Sequence, residues 1–264
     1  MKTVIYYFSA TGNSLHVAKM IAAELEDVKL VSIPCALKSG QFIPEAEAVG
    51  FVFPLHCLGL PMLVEDFIRQ VDLRLVKYIF AVTTCELPNL GCCFHELSRL
   101  LGAKDKILHA SWFIKMLSVY IKLFDLPPEK KRLALLEKAD KKIPEIIRVI
   151  KRREHAATSE FFAWPARVIH KNWRKKQALL AADFSGDKSA CTGCGLCEQV
   201  CPTDNISLID GELVWHDKCT ECLGCLHICP KRVIECGSKT KNRARYRHPD
   251  ITVAELINEN KSDE

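Results

Sequence analysis

No stretch of this 264-residue chain holds the ~18 uninterrupted apolar positions that a membrane-spanning helix needs. The nearest, residues 107–126, is broken by Lys115 and Lys122, so no membrane span and a soluble protein are expected. Two phosphate-binding fingerprints are also missing. The chain has neither a G-x-G-x-x-G run nor a Gly-Lys-Ser/Thr ending, which argues against NAD and ATP as ligands. No signal peptide precedes the first strand, so a cytoplasmic location is expected, and there a cysteine-rich pattern indicates metal rather than disulfides.

Cysteine is abundant instead: the chain has 14, and eight fall into one motif written twice. Cys191, Cys194, Cys197 and Cys201-Pro202 form the first run; Cys219, Cys222, Cys225 and Cys229-Pro230 form the second. The spacing C-x2-C-x2-C-x3-C-P is that of a 4Fe-4S ligand run, and in two-cluster proteins the fourth Cys of each run serves the other cluster. On that rule Cys191, Cys194, Cys197 and Cys229 are assigned to one cluster, and Cys219, Cys222, Cys225 and Cys201 to the other. Thiolates so close in sequence must wrap one corner of a cube, which demands tight turns; Gly193, Gly195 and Gly224 are expected to supply them. A zinc site uses cysteine pairs separated by a long gap and four ligands in all, whereas here each triplet carries its own trailing Cys-Pro. Between the runs, 206–209 and 212–215 read as a hairpin turning at Asp210-Gly211, a type I′ signal.

The formal charge of +5 is unevenly spread. Residues 129–177 hold 15 Lys and Arg against 6 Asp and Glu, and residues 239–247 add 5 basic and no acidic side chains. The rest is acidic by 9 charges, with 17 basic residues against 26 acidic. Acidic modules joined to a basic arm describe the chain better than its total. The basic clusters, Lys151-Arg152-Arg153 and Arg174-Lys175-Lys176, are expected to be solvated helix faces that dock an acidic redox partner protein or the acidic modules of a second copy, as a homodimer, and not nucleic acid.

At the N-terminus, Val4-Ile5-Tyr6-Tyr7-Phe8 is a continuous apolar run, as in a strand buried on both faces of a parallel sheet. Ser9-Ala10-Thr11-Gly12-Asn13-Ser14 follows, and then Leu15, Ala18, Ile21, Ala22 and Leu25 recur at helical spacing. A loop of hydroxyls and backbone N–H groups at a helix N-terminus suits one phosphate. Further strands are expected at 29–33, 48–53, 78–84 and 107–113, with helices at 61–71 and 92–101. Five strands alternating with helices predict an α/β fold with a doubly wound five-stranded parallel sheet.

The S-x-T-G-N-S loop after the first strand resembles that of flavodoxins, and together with the doubled cysteine run it makes the chain look like a member of the flavodoxin-ferredoxin fusion family, over about residues 1–115 and 185–238. The resemblance implies the strand order 2-1-3-4-5, FMN and two 4Fe-4S clusters as cofactors, and electron transfer between them and an external redox partner. The alternative is an FMN-dependent iron-sulfur reductase acting on a small-molecule acceptor; no separate substrate constellation is visible for it, and no catalytic residue is assigned. FMN contacts are expected from Ser9, Ala10, Thr11, Gly12, Asn13 and Ser14 at the phosphate, from Pro54, Leu55, His56, Cys57, Leu58 and Gly59 in the second loop, and from Thr84, Cys85 and Gly91 in the third. Flavodoxins commonly stack an aromatic ring on the flavin, yet between Pro54 and Gly91 the only Tyr, Trp or Phe are Phe67, Tyr78 and Phe80, in a helix and a strand; Leu55, His56 and backbone are left for that contact.

The implied layout is a flavodoxin-like domain at 1–126, a basic helical connector at 127–182, a small α+β two-cluster ferredoxin domain at 183–238, and a tail at 239–264, basic and then acidic, whose basic run 239–247 is either mobile or wrapped on a neighbouring domain. The connector is expected to hold one helix through Leu133–Ile150, interrupted near Pro144, and another through Phe161–Trp173. Cys35, Cys57, Cys85, Cys92, Cys93 and Cys236 have no partner at ligand spacing and are read as small buried hydrophobes. His56 is the residue placed to tune a flavin.

Overall fold

The computed structural model describes residues 2–261. Strand β1 (Thr3–Tyr7), helix α1 (Asn13–Ala23), β2 (Val28–Ser32), α2 (Ile33–Ser39), β3 (Ala48–Pro54), α3 (Met62–Gln70), β4 (Tyr78–Cys85), α4 (Cys93–Gly102) and β5 (Ala110–Lys115) alternate along the first 115 residues. All strand pairs are parallel, in the order β2-β1-β3-β4-β5. This is the flavodoxin-like doubly wound order. Helix α2 had no counterpart in the sequence reading; it starts where the Ser32 hydroxyl accepts the Cys35 N–H and Pro34 occupies the first turn. The last strand begins at Ala110 rather than 107, and Ile107 is exposed.

Side chains alternate across the sheet with period two. Val4, Tyr6 and Phe8 point with Phe51 and Phe53 into one core, beneath α3 and α4, while Ile5, Val52, Phe80 and Val82 point into the other. Each fully buried Phe or Ile is worth about 1.5–3 kcal/mol over its exposed state, so both faces need a cover. On the second face Val17, Ala18 and Ile21 of α1 supply part of it. The remainder comes from α5 (Glu129–Asp140) and α6 (Ile143–Arg152), through Leu136, Ala139, Ile143, Ile146 and Ile150. The helices of 127–152 therefore do not stand apart as a connector but complete a layer of the α/β unit. Pro144 lies in the first turn of α6, where its missing N–H costs nothing, so the break falls at residues 141–142.

Helix α7 (Ala163–Arg174) leads to the cysteine-rich unit, made of β6 (Phe184–Gly186), α8 (Leu196–Gln199), β7 (Ile206–Ile209), β8 (Glu212–Trp215), α9 (Gly224–Ile228) and β9 (Ile234–Cys236). The β7–β8 hairpin turns at Asp210 and Gly211, with φ of 49° and 78°, as a type I′ turn requires. Through residue 261 the tail packs against the rest of the fold. Tyr246 packs into the second-face core, and α10 (Val253–Asn258) brings Leu256 and Ile257 against Leu15 of α1 and against Val200 and Ile228 of the cysteine-rich unit. A Thr252–Glu255 capping box starts α10. Among the described residues no helix is long and apolar enough to cross a membrane.

Candidate functional site

The doubled cysteine motif closes around two centres. Cys191, Cys194, Cys197 and Cys229 line one small cavity, with Gly193, Gly195 and Pro230 beside them. Cys201 lies near enough to Cys219, Cys222 and Cys225 for its charge to act on each of them. Burial first, and then neighbouring thiols and acids, push Cys219 up to about 11 and Cys222 up to about 12. Buried sulfurs packed this closely disfavour their own thiolates, and a bound cation removes that penalty by deprotonating a coordinating thiol. Backbone donors already point at sulfur: Asn205 N–H lies 3.2 Å from Cys201 Sγ and Glu221 N–H 3.3 Å from Cys219 Sγ. Such bonds to the sulfurs help set a cluster's potential.

The two runs turn by different means. In the first, Gly193 and Gly195 take φ of 67° and 71°. In the second, Glu221 and Leu223 hold the equivalent left-handed positions, at 51° and 61°, and Gly224 does not make the turn expected of it. Its missing side chain serves a close approach instead, because a Cβ there would lie 3.3 Å from the carbonyl oxygen of Ala10. The strained Glu221 is held by its partners: its carboxylate accepts Lys122 Nζ at 2.7 Å and the Trp173 indole N–H at 3.0 Å.

That approach places a second, larger cavity of about 460 Å³ between the cysteine loop and the carboxyl ends of the parallel strands. Its volume lies within the range of cofactor sites. Ser9, Ala10, Thr11, Asn13 and Ser14 line one end; Pro54, Leu55, His56, Cys57 and Leu58 form one side, and Thr84 and Cys85 another. Gly12, Gly59 and Gly91 do not line it, and each acts through backbone. Gly12, at φ 99°, donates its N–H to Ser9 Oγ at 3.1 Å. Gly59 leaves room for the ring of His170, and Gly91 passes close to the Leu58 carbonyl. The hydroxyl end is ordered from behind, since Ser14 Oγ and Thr84 Oγ1 are 2.8 Å apart and Tyr246 donates its hydroxyl to Asn13 Oδ1 at 2.7 Å.

Residues that sequence reasoning left out complete the walls. Tyr120, Phe124 and Trp173 supply the aromatic surface absent from the two strand-end loops, and Glu221, Cys222 and Leu223 bring in the cysteine motif itself. The helical pattern through 161–173 marked Trp173 as apolar, but nothing local tied it to a loop more than a hundred residues earlier. The link is His170, fully buried one turn before Trp173, whose Nδ1 lies 3.2 Å from the Cys57 carbonyl oxygen.

His56 meets the edge of Phe8 at 5.6 Å, and burial followed by the nearby His170 brings it down to about 4. It offers a neutral ring to the cavity at pH 7. Cys57 departs from the buried-hydrophobe reading: it is exposed, at φ 43°, in a tight His56–Gly59 turn. Partial burial of its sulfur, and then the Glu221 carboxylate, raise the Cys57 thiol, and burial pushes Cys85 up to about 12. Neither is a ready thiolate.

Comparison with known proteins bears on the cysteine-rich unit directly. Residues 190–234 match the family described as the 4Fe-4S dicluster domain. This iron-sulfur unit sits on a flavodoxin-like sheet, an architecture that suits redox work. The chain matches no curated protein. Among solved structures it is similar to rubredoxin oxygen:oxidoreductase from the anaerobe Desulfovibrio gigas, at 18% identity and a TM-score of 0.33, covering 58% of this chain and 36% of that one. It is also similar to the Trp repressor binding protein from Bacillus subtilis, at 10% identity and a TM-score of 0.33, covering 54% of this chain and 96% of that one. The chain thus spans about a third of the length of the first of these.

Proposed function

We propose that this chain is an electron-transfer protein of the flavodoxin-ferredoxin fusion kind, relaying electrons between FMN, two 4Fe-4S clusters and an external redox protein. The observation that carries this reading is Cys222 in the wall of the 460 Å³ cavity: a cluster-ligand cysteine and the hydroxyl-rich 9–14 loop face the same space within one chain. Ser9, Thr11, Asn13, Ser14 and the loop N–H groups would hold the FMN phosphate at the N-terminus of α1, where the helix dipole favours an anion. Leu55, His56, Tyr120 and Trp173 would bound the ring. The eight cysteines would hold the clusters in the two groups described, with Cys222 on the cluster nearer the flavin.

When bound, clusters pass single electrons and a flavin one or two, so the pairing interconverts the two. The protein's part is to exclude water, fix separation and tune potentials through the N–H bonds to Cys201 and Cys219. The rim of the cavity is apolar, with Leu87, Leu123, Phe124 and Ile169 exposed around it. That edge, flanked by basic residues of α7, is where an acidic carrier protein would dock.

Anaerobic purification with iron, sulfide and flavin counted per chain tests the proposal. About eight iron atoms, as two 4Fe-4S clusters require, and one FMN are expected. Cys194→Ala should abolish one cluster's EPR signal and keep the flavin. Colourless protein, or zinc in place of iron, would overturn the reading. Saturable turnover of a small acceptor without any carrier would replace the relay with the FMN-dependent reductase.

A further inference from the structure

We propose that His16, His248 and Asp250 form a binding site for a single divalent cation of the Zn²⁺ class, which clasps the C-terminal tail to α1 behind the 9–14 loop. None of the three side chains lines the flavin cavity, so the site stands whether or not the cavity holds FMN.

His16 lies more than two hundred residues before His248 and Asp250 in the chain, yet each of the three places one ligand atom within 4.8 Å of the others. His16 Nδ1 and His248 Nδ1 lie 3.6 Å and 4.0 Å from the same oxygen, Oδ2 of Asp250. Those gaps are too long for hydrogen bonds. Ligand bonds of about 2.0–2.2 Å around a tetrahedral ion put donor atoms roughly 3.4 Å apart, so the two distances to Asp250 need to close by only a few tenths of an ångström, and the two imidazole nitrogens must draw together with them. The imidazoles stack at 4.0 Å and 23°, so the rings must open for both in-plane lone pairs to reach one ion.

One further observation points to a ligand. His16 Nε2 is already bonded at 2.9 Å to Oδ1 of Asp140, on α5. A carboxylate holding the far nitrogen of an imidazole is the outer-shell arrangement of metal-bound histidine, and it aims the other nitrogen's lone pair inward. His248 is 1% exposed, and its Nε2, on the opposite side of the ring from the Asp250 carboxylate, has no hydrogen-bond partner. Its Nδ1 receives only the Asp250 N–H at 3.3 Å, the bond a cation would displace. Two imidazoles and one carboxylate are the donors of borderline divalent ions, and the exposed side of Asp250 leaves a position for water.

The clasp acts on a sensitive place. His248 donates its N–H to the Thr11 carbonyl at 2.8 Å, and its Cβ stands where a side chain on Gly12 would begin. Fastening His248 to His16 therefore ties the tail to the middle of the loop and to the first turn of α1.

The test uses the full-length, cluster-loaded protein, dialysed anaerobically against micromolar Zn²⁺ and analysed for zinc and iron together. One zinc per chain is expected beyond the iron. Asp250→Asn should weaken zinc binding at least tenfold, His248→Gln by more, and Asp140→Asn about tenfold, as loss of an outer-shell partner does. Zinc should also slow amide exchange over residues 246–258 in the wild type and not in Asp250→Asn. Zinc content that is unchanged by Asp250→Asn belongs to cysteines and overturns the proposal, as does a cluster-loaded wild type that retains none. Asp250 is largely exposed, so its variant decides the matter even if His248→Gln does not fold.

Discussion

Trp173 donates its indole N–H to Oε2 of Glu221 at 3.0 Å, joining α7 to the second cysteine run. Lys122 reaches the other oxygen of the same carboxylate at 2.7 Å and also pairs with Asp183 at 2.7 Å. One carboxylate in a left-handed backbone turn thus gathers the segment after β5, α7 and the cysteine loop at the edge of the large cavity.

These bonds differ in strength. Trp173→Phe keeps the apolar ring and loses one hydrogen bond to a charged group, about 1.5–3 kcal/mol. Lys122→Met strips the cation from a carboxylate whose side chain is 3% exposed, and breaking a buried pair costs about 3–5 kcal/mol. The midpoint for loss of visible absorbance on anaerobic heating should fall for both, and further for Lys122→Met. The reverse order would show that the indole bond, and not the ion pair, holds the loop.

His56 predicts a pH dependence. Its ordinary value of 6.5 is brought down to about 4 in the fold, so the unfolded chain takes up a proton first as pH falls. Stability from the neutral ring is fully present above pH 6.5 and is lost between 6.5 and 4. The loss is at most about 3 kcal/mol, because one pKa unit corresponds to about 1.4 kcal/mol and solvent at the ring's edge reduces it. Chemical denaturation at pH 7 and pH 5 should show a smaller drop for His56→Asn than for the wild type. Equal drops would place His56 in an environment that leaves its charge solvated.

Gly59 supports His170. An added Cβ would stand 2.4 Å from Cγ of that ring, and overpacking of this kind costs typically 1–3 kcal/mol. Gly59→Ala should push α7, and Trp173 with it, away from the cavity, lowering both the melting midpoint and the affinity for added FMN. His170→Ala in the same chain removes the clash, so the double variant should be more stable than the sum of the single changes implies. Simple additivity would mean that the loop and α7 are not coupled through this contact.

The cysteine spacing and the strand-loop-helix start were legible because each is a local pattern. Ligand geometry limits how far apart thiolates can lie along the chain, and a strand buried on both faces must be apolar throughout, as residues 4–8 are. The hairpin at Asp210-Gly211 was legible for the same reason, since two positive φ angles select the dipeptide. Helix α2 escaped notice because Pro34 and a short apolar run carry no helical period of their own. The turns of the second cysteine run were misplaced, because Glu221 and Leu223 accept left-handed backbone that sequence preference would give to Gly224.

Order along the chain thus settled the five-stranded α/β unit and the iron-sulfur character of residues 190–234. It did not settle what would surround the cavity. Tyr120, Trp173 and Cys222 converge there because His170 docks α7 on the 56–59 turn and Gly224 lets the cysteine loop approach Ala10, and His248 reaches His16 because the tail runs back across α1. Those contacts join residues far apart in the chain, and no spacing rule records them; burial of shared apolar surface brings them together.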